Sequence, residues 1–563
     1  MKNKFILSKF YVRIILILII GVAIFLRVYA LGKVPSSPDW DEVALGYNAY
    51  SILETGRDEY GKFIPVVLQS FDDYKPALYA YFIIPFLKIF GLSIVSVRLP
   101  AIIFGVISII TIFFIMRELF KQSIRIEKFT IPRDYVALLT TLFVAFSPWH
   151  IQFSRVAFEA GVGLSINLIA ILFFLKGLRN KYFFALSFVV GAISIYVYQS
   201  EKVYVPLLFI VLFIVFWKSI QKISKKWICL SFALALLVAA PMIFYILTNP
   251  NALSRAKGVS VFTDTTKLLA SNTDKMKRNV ENGDILGQII DNRRIDYVKA
   301  FASGYLSHFQ PNWLFYQGDV ARHHAPFMGN LYLFTLPFIL IGIYVLIFSD
   351  TERKTKYFII LYGIIAPIPA SITIDVPHAV RTINFIPVFD VFASLGVLFF
   401  VYFCMSKKIY IRLPLIAIFL AIVFLNVSYY LNQYFVQQNF YNSEYWQYGW
   451  EDAVLYTKDE AKSFDQVVVT NESPLDQSYM FFLFYTKYDP HKYLSSGGTK
   501  GGSFDMQHTA FDKYTFRPIN WDEDKLLKNT LFIGRPEDLP VNFAKTVYYE
   551  NGEPAIIVSR THE

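Results

Sequence analysis

The run Ile14–Leu31, IILILIIGVAIFLRVYAL, follows the basic residues Lys2, Lys4, Lys9 and Arg13, and its reading decides the fold. About 20 apolar residues cross a hydrocarbon layer of about 30 Å. A basic leader before an apolar run also describes a secretory signal, but no small-residue cleavage site follows here. Arg27 lies near the far end of the run, where a long side chain snorkels to the interface. The run is therefore expected to remain as an uncleaved first span.

Working outward, further runs of spanning character lie at about residues 97–116, 135–149, 161–178, 183–199, 203–217, 227–247, 330–348, 357–373, 382–404 and 413–431. The expected total is about eleven. Every second loop is basic: Arg117, Lys121, Arg125, Lys128 and Arg133; then Lys176, Arg179 and Lys181; then Lys218, Lys222, Lys225 and Lys226; then Arg353, Lys354 and Lys356; then Lys407, Lys408 and Arg412. The positive-inside rule puts these loops and the N-terminus in the cytoplasm and the C-terminal tail outside. The alternation holds only if Ala77–Gly91, interrupted by Pro85 and Lys88, is an interfacial or re-entrant helix. Chemistry is then expected outside, where the large regions 33–96, 248–329 and 431–563 and all the histidines (His150, His308, His323, His324, His378, His491, His508 and His562) fall.

Composition agrees. The chain is 55% hydrophobic and 17% charged, against about 25% charged in soluble domains. That excludes a disordered chain, a disulfide scaffold and a free cytosolic enzyme. Cys229 and Cys404 both lie in apolar runs, so no disulfide framework is expected. The net charge of +11 is scattered between apolar runs rather than gathered into a patch, so no nucleic-acid partner is expected.

The last stretch differs in kind. Strand-like runs at Gln466–Thr470, Thr530–Ile533, Thr546–Tyr549 and Ala555–Ser559, the turn signal Asn551-Gly552 and an amphipathic segment Trp446–Tyr456 predict a small α/β domain. The fold class is thus an all-α polytopic membrane domain, residues 1–431, with an α/β extracytoplasmic domain, residues 432–563. The segment Gly497–Gly502 lacks phosphate-loop spacing and reads as a flexible loop.

Four clusters can carry chemistry. Ser37-Pro38-Asp39-Trp40-Asp41-Glu42 suits a capping box through Asp39 and Glu42. Equally, it offers a general base near the membrane surface, or hard oxygen ligands for a divalent cation through Asp39 and Asp41. Asp72-Asp73-Tyr74-Lys75-Pro76-Ala77-Leu78-Tyr79 puts a lysine at headgroup depth, suited to a phosphate or simply snorkelling. Ser147–Glu159 contains Arg155 and Glu159 at i, i+4, either a helix ion pair or ionisable groups facing a cavity. Asp375–Arg381 carries His378 and Arg381, and an arginine fork matches phosphate oxygens. The segment from Tyr305 through Asp319, Arg322, His323 and His324 is aromatic and polar, suited to a sugar-binding rim; its adjacent histidines do not have metal-motif spacing.

The order of these motifs resembles the GT-C glycosyltransferases, and most nearly the protein O-mannosyltransferases and lipid A aminoarabinose transferases. The resemblance rests on the acid pair after the first span, Lys75-Pro76-x-x-Tyr79, Arg98-Leu99-Pro100-Ala101, Ser147-Pro148-Trp149-His150 with Ser154-Arg155, and Pro377-His378 with Arg381. It covers roughly residues 10–430. Two positions depart from the family pattern: Ala77 stands in the usual Lys-Pro-Pro, and Glu159 stands where an aspartate is common.

The resemblance implies a glycosyltransferase, hexosyl or pentosyl, in the cytoplasmic membrane. It would move a sugar from a polyprenyl-phosphate donor to a hydroxyl on a protein, lipid or glycan acceptor. Asp41 falls on the family's catalytic acid, with Glu42 beside it, and Glu159 falls on the second-loop acid. Lys75, with Arg155, His378, Arg381 and Tyr79, would surround the lipid phosphate. No cofactor is expected; a divalent cation is possible but not required. The partners implied are the lipid-linked donor, the acceptor and membrane lipids. Two other classes fit the residues less well: a flippase of lipid-linked sugars, which would place charges near the midplane, and a membrane-anchored binding protein, which would need no carboxylate at Asp41.

Overall fold

A computed structural model describes residues 7–71, 73–250, 258, 260–261, 267–501, 508–540 and 545–561. Lys2, Lys4, Asp72, Gly502 and His562 lie outside the described residues.

Helices occupy every position at which a span was expected. Seven of the described helices are long and apolar enough to cross a membrane: Lys9–Val28, Ile94–Leu119, Glu159–Gly177, Glu201–Ile220, Lys225–Thr248, Ile383–Met405 and Ile409–Asn442. The others are shorter: Arg133–Phe146, Lys181–Ser194, Thr335–Phe348 and Arg353–Ile365. Leu78–Phe90 is a short apolar helix with Pro85 inside it. Outward-facing residues such as Leu236, Leu237, Phe244 and Leu247 are largely exposed. An apolar surface of this extent is solvated by lipid rather than water. The chain is an integral membrane protein.

Contacts divide it into two compact units. The first comprises Met1–Leu26, Phe104–Phe153 and Ala160–Ser428. Its helices Thr335–Phe348 and Ile386–Met405 meet backbone to backbone because Gly342 faces the Phe392 carbonyl and Gly396 faces the Phe338 carbonyl. Small residues permit that approach where lipid supplies no hydrophobic drive between helices. A buried Glu201 accepts from Asn167 and, at 3.0 Å, from Asn384, so its carboxylate is satisfied inside the unit.

The second unit comprises Arg27–Ile103, Ser154–Glu159 and Tyr429–Glu563. Its sheet runs in the order Ala510–Phe511, Tyr514–Phe516, Gln466–Val469, Thr530–Gly534, Pro554–Arg560, Lys545–Tyr548. The central Gln466–Val469 strand pairs in parallel with both neighbours and is buried almost throughout, as its unbroken valine run demands. The four strands expected from sequence are present within a residue or two, and the helix Trp450–Glu460 overlaps the amphipathic segment read at Trp446–Tyr456, displaced by four residues. The two short strands at 510–516 carried no alternation long enough to read. The same unit holds the helix Trp40–Thr55 and an antiparallel pair, Val67–Ser70 with Asp73–Pro76, which register Leu68 opposite Lys75.

Candidate active site

Every residue of the acidic cluster after the first span lies in the second unit. Asp39 has extended backbone, and its Oδ1 accepts the Glu42 N–H at 2.9 Å, capping Trp40–Thr55. The helix ends at Gly56, whose φ of +72° suits a residue without Cβ. The cap sets Asp41 and Glu42 in the first turn, where the helix dipole favours acids.

Only half of the expected capping box forms. Glu42 sends its carboxylate to Arg98 instead: Nε donates to Oε1 at 2.9 Å and Nη2 to Oε2 at 2.7 Å, while the Ala157 N–H donates to Oε1 at 2.8 Å. Arg98 also donates to the Ser37 and Pro35 carbonyls, at 3.0 and 3.3 Å. Glu42 thus ties three segments together, and both of its oxygens are engaged by Arg98. Arg98 was a motif letter in the sequence with no role attached; its place shows only once Glu42 is seen buried.

Asp41 points elsewhere. Its Oδ1 meets the Lys75 ammonium. Lys75 is held by the strand Asp73–Pro76, with a side chain 10% exposed against 30% for Asp41. It is buried and paired, which a snorkelling lysine is not. Burial acts against the ammonium, but the Asp41 and Glu159 carboxylates outweigh it and hold its pKa above the ordinary lysine value. Glu159 is the first residue of Glu159–Gly177, a helix N-terminus that suits a carboxylate. Asp41, Lys75 and Glu159 are therefore brought into one electrostatic cluster, two acids and one cation.

The remaining expected residues have the following partners. Arg155 precedes the helix that Glu159 opens, so the helical i, i+4 reading does not hold. Its guanidinium is fully buried, donates to the Arg27 and Val34 carbonyls at 3.0 and 2.9 Å, and lies over the Phe435 ring. Tyr79 is buried and donates to the Val97 carbonyl at 3.0 Å. His378 and Arg381 belong to the first unit. There Arg381 donates to Thr373 Oγ1 at 2.6 Å and the Ile374 carbonyl at 2.9 Å, folding its own loop. His150 shares a hydrogen bond of 2.7 Å with Ser108, and Trp149 donates to the Ala379 carbonyl.

Sequence reasoning passed over another buried acid in this unit. Glu59 accepts from Asn48 at 2.9 Å, Thr499 at 2.6 Å and Tyr479 at 3.2 Å. Burial dominates those bonds and pushes its pKa up to about 7. Thr499 also donates its N–H to the Glu59 carbonyl at 3.0 Å. The loop read as flexible from its glycines is anchored there.

Residues 74–245 match the family model for dolichyl-phosphate-mannose-protein mannosyltransferases. The fold is similar to ArnT from Cupriavidus metallidurans in its apo state, with a TM-score of 0.52 and 10% identity over 96% of this chain and 97% of that one. The same protein bound to undecaprenyl phosphate gives 0.51 and 11%, with the same coverage. The archaeal oligosaccharyltransferase AglB from Archaeoglobus fulgidus, in complex with an inhibitory peptide and a dolichol-phosphate, gives 0.51 and 14%. This chain covers 64% of AglB, with 85% of its own length. No curated protein matches by sequence.

Proposed function

The chain has the fold of the GT-C glycosyltransferases, and on that premise we propose that it transfers a sugar from a polyprenyl-phosphate carrier to a hydroxyl acceptor at the outer membrane face. The observation that carries this reading is the Asp41–Lys75 pair flanked by Glu159: a partly exposed carboxylate held beside a buried ammonium. The undecaprenyl phosphate on ArnT and the dolichol-phosphate on AglB support the class of donor. Acceptors of the protein, lipid and glycan classes all present the hydroxyl that the reaction needs.

Without donor, Asp41 neutralises Lys75. A donor phosphate offers the ammonium a second anion, and Lys75 turning toward it leaves Asp41 to accept a hydrogen bond from the acceptor hydroxyl. That hydroxyl attacks the anomeric carbon, its proton passes to the Asp41 carboxylate, and the carbon–phosphate oxygen bond breaks with its electron pair on the phosphate. The departing phosphate is already a weak base, so no separate acid is required. A single displacement inverts the anomeric configuration. Lys75 stabilises the leaving charge. Glu159 helps to hold Lys75 charged, and Glu42, through Arg98 and the Ala157 N–H, fixes the backbone that leads to Glu159. Lys75 is the residue of choice for a test because it alone touches both partners of this scheme. The full chain, reconstituted in liposomes with a panel of synthetic polyprenyl-phosphate sugars, should release polyprenyl phosphate, and Lys75→Met should lower kcat/KM by about a hundredfold or more. Release by Lys75→Met at the wild-type rate overturns the reading.

A further inference from the structure

Among the described residues, Asp319, His323 and His378 place one carboxylate oxygen and two imidazole nitrogens within 4.8 Å of one another. All three lie in the first unit. Two segments supply them. Asp319 and His323 follow the short turn of helix Asn312–Gln317, and His378 lies in the loop between Ile368–Ser371 and Ile383–Phe385.

Backbone hydrogen bonds assemble this cluster from both sides. The Ala379 N–H donates to Asp319 Oδ2 at 2.6 Å. The His378 N–H donates to His308 Nε2 at 3.2 Å, so that nitrogen carries no proton, and His308 Nδ1 donates to the Gly304 carbonyl at 2.7 Å. One carboxylate oxygen is thus spent on positioning the His378 loop, and the other faces His323, whose Nδ1 is 3.1 Å from Asp319 Oδ1. The His323 and His378 rings lie 5.1 Å apart at an interplanar angle of 37°. Asp319 and the His323 side chain are each less than a tenth exposed.

Two ligands of one tetrahedral cation, with bonds of about 2.0–2.2 Å, stand roughly 3.3–3.5 Å apart. The Asp319–His323 pair, at 3.1 Å, is a few tenths of an ångström short of that spacing, and bringing in His378 takes a side-chain adjustment on the order of 1 Å. A simple ion pair would need only Asp319 and His323. The second imidazole arrives from a separate segment, whose backbone is bonded to the same carboxylate. Two imidazoles with one carboxylate suit zinc and its neighbours, whereas magnesium and calcium take oxygen ligands.

We propose that Asp319, His323 and His378 form a binding site for a divalent cation of the zinc type, which clips the segment 319–323 to the loop 373–382. Water completes the coordination. This assigns His378 to the metal rather than to a lipid phosphate. The proposal is independent of the transfer reading, which needs no metal.

The test uses the purified full chain in nanodiscs, stripped with EDTA and titrated with zinc chloride alone. Elemental analysis after desalting should find about one zinc per wild-type chain, and zinc should raise the midpoint of thermal unfolding. His378→Gln and His323→Gln should each weaken zinc binding at least tenfold, while His491→Gln, at an exposed residue of the other unit, should bind as wild type does. Should a variant fail to fold, the stripped wild-type chain still decides the matter, since it must gain thermal stability from zinc. A wild-type chain that neither retains zinc nor responds to it, or folded variants that bind it with wild-type affinity, overturns the proposal.

Discussion

Arg98 and Glu42 form a fully buried ion pair, 0% and 2% exposed in their side chains, and its disruption gives a sharp expectation. Removing one partner strands the other charge away from water, at a cost of about 3–5 kcal/mol. Arg98→Met would abandon both oxygens of Glu42 that the fork now holds, together with the Ser37 and Pro35 carbonyls. Glu42→Gln would leave the guanidinium facing a neutral amide. Each single variant should therefore lose about 3–5 kcal/mol. The double variant buries no net charge, so it should fall short of the sum by about 3 kcal/mol. The assay is a double-mutant cycle on reversible detergent-driven unfolding of the purified chain in mixed micelles. Additive losses would refute the reasoning, because they would mean that the two charges do not depend on each other. A second readout concerns function: if Glu42 positions rather than reacts, donor turnover by folded Glu42→Gln should fall less than that of Asp41→Asn.

Burial raises the pKa of Glu59 to about 7 from an ordinary 4.5, so the folded chain holds its proton where the unfolded chain has lost it. Its contribution to stability is therefore full below about pH 4.5 and declines as pH rises to about 7, by something on the order of 3 kcal/mol. Glu59→Gln should flatten that part of the stability–pH curve measured by thermal unfolding; an unchanged slope would contradict the assignment. Gly342→Ala would drive a methyl group into the Phe392 carbonyl, and about 1–3 kcal/mol of stability should be lost in the same unfolding assay. At Gly46 an added Cβ would come within 2.6 Å of the Phe484 ring and 2.7 Å of Val97, so Gly46→Val should be similarly destabilising, read by the same assay.

Much of this fold is written in local patterns. Apolar runs bounded by lysine and arginine marked the long apolar helices, such as Lys225–Thr248, since the hydrocarbon layer leaves the backbone no alternative to internal hydrogen bonding, whereas the polar helices Lys267–Glu281 and Arg293–Ser307 carried no such run. The strand Gln466–Val469 was legible because a run of valines can be buried on both faces. Short helices such as Lys181–Ser194 and Thr335–Phe348 were readable as apolar runs, but their lengths depend on packing that no single run encodes. The site was legible in part. Asp41 and Lys75 were picked out as candidates, and the structure pairs them. Arg155 was placed near a lipid phosphate only by the family resemblance; its bonds to the Arg27 and Val34 carbonyls depend on burial of those backbone groups, which only the tertiary fold creates. Glu59, and the role of Arg98, were invisible for the same reason: each is distinguished by what surrounds it, at separations of tens to hundreds of residues. The histidines His323 and His324 gave no metal spacing because the second imidazole comes from His378, in another loop.

The central claim is that Asp41 takes the proton of an acceptor hydroxyl while Lys75 serves the donor phosphate. Its most direct measurement is single-turnover sugar transfer from a saturating polyprenyl-phosphate donor, comparing the wild-type chain with Asp41→Asn, alongside binding of polyprenyl phosphate to each. Loss of a general base should slow transfer by about 10²–10⁴-fold while the lipid still binds. Transfer by Asp41→Asn at the wild-type rate would contradict the account.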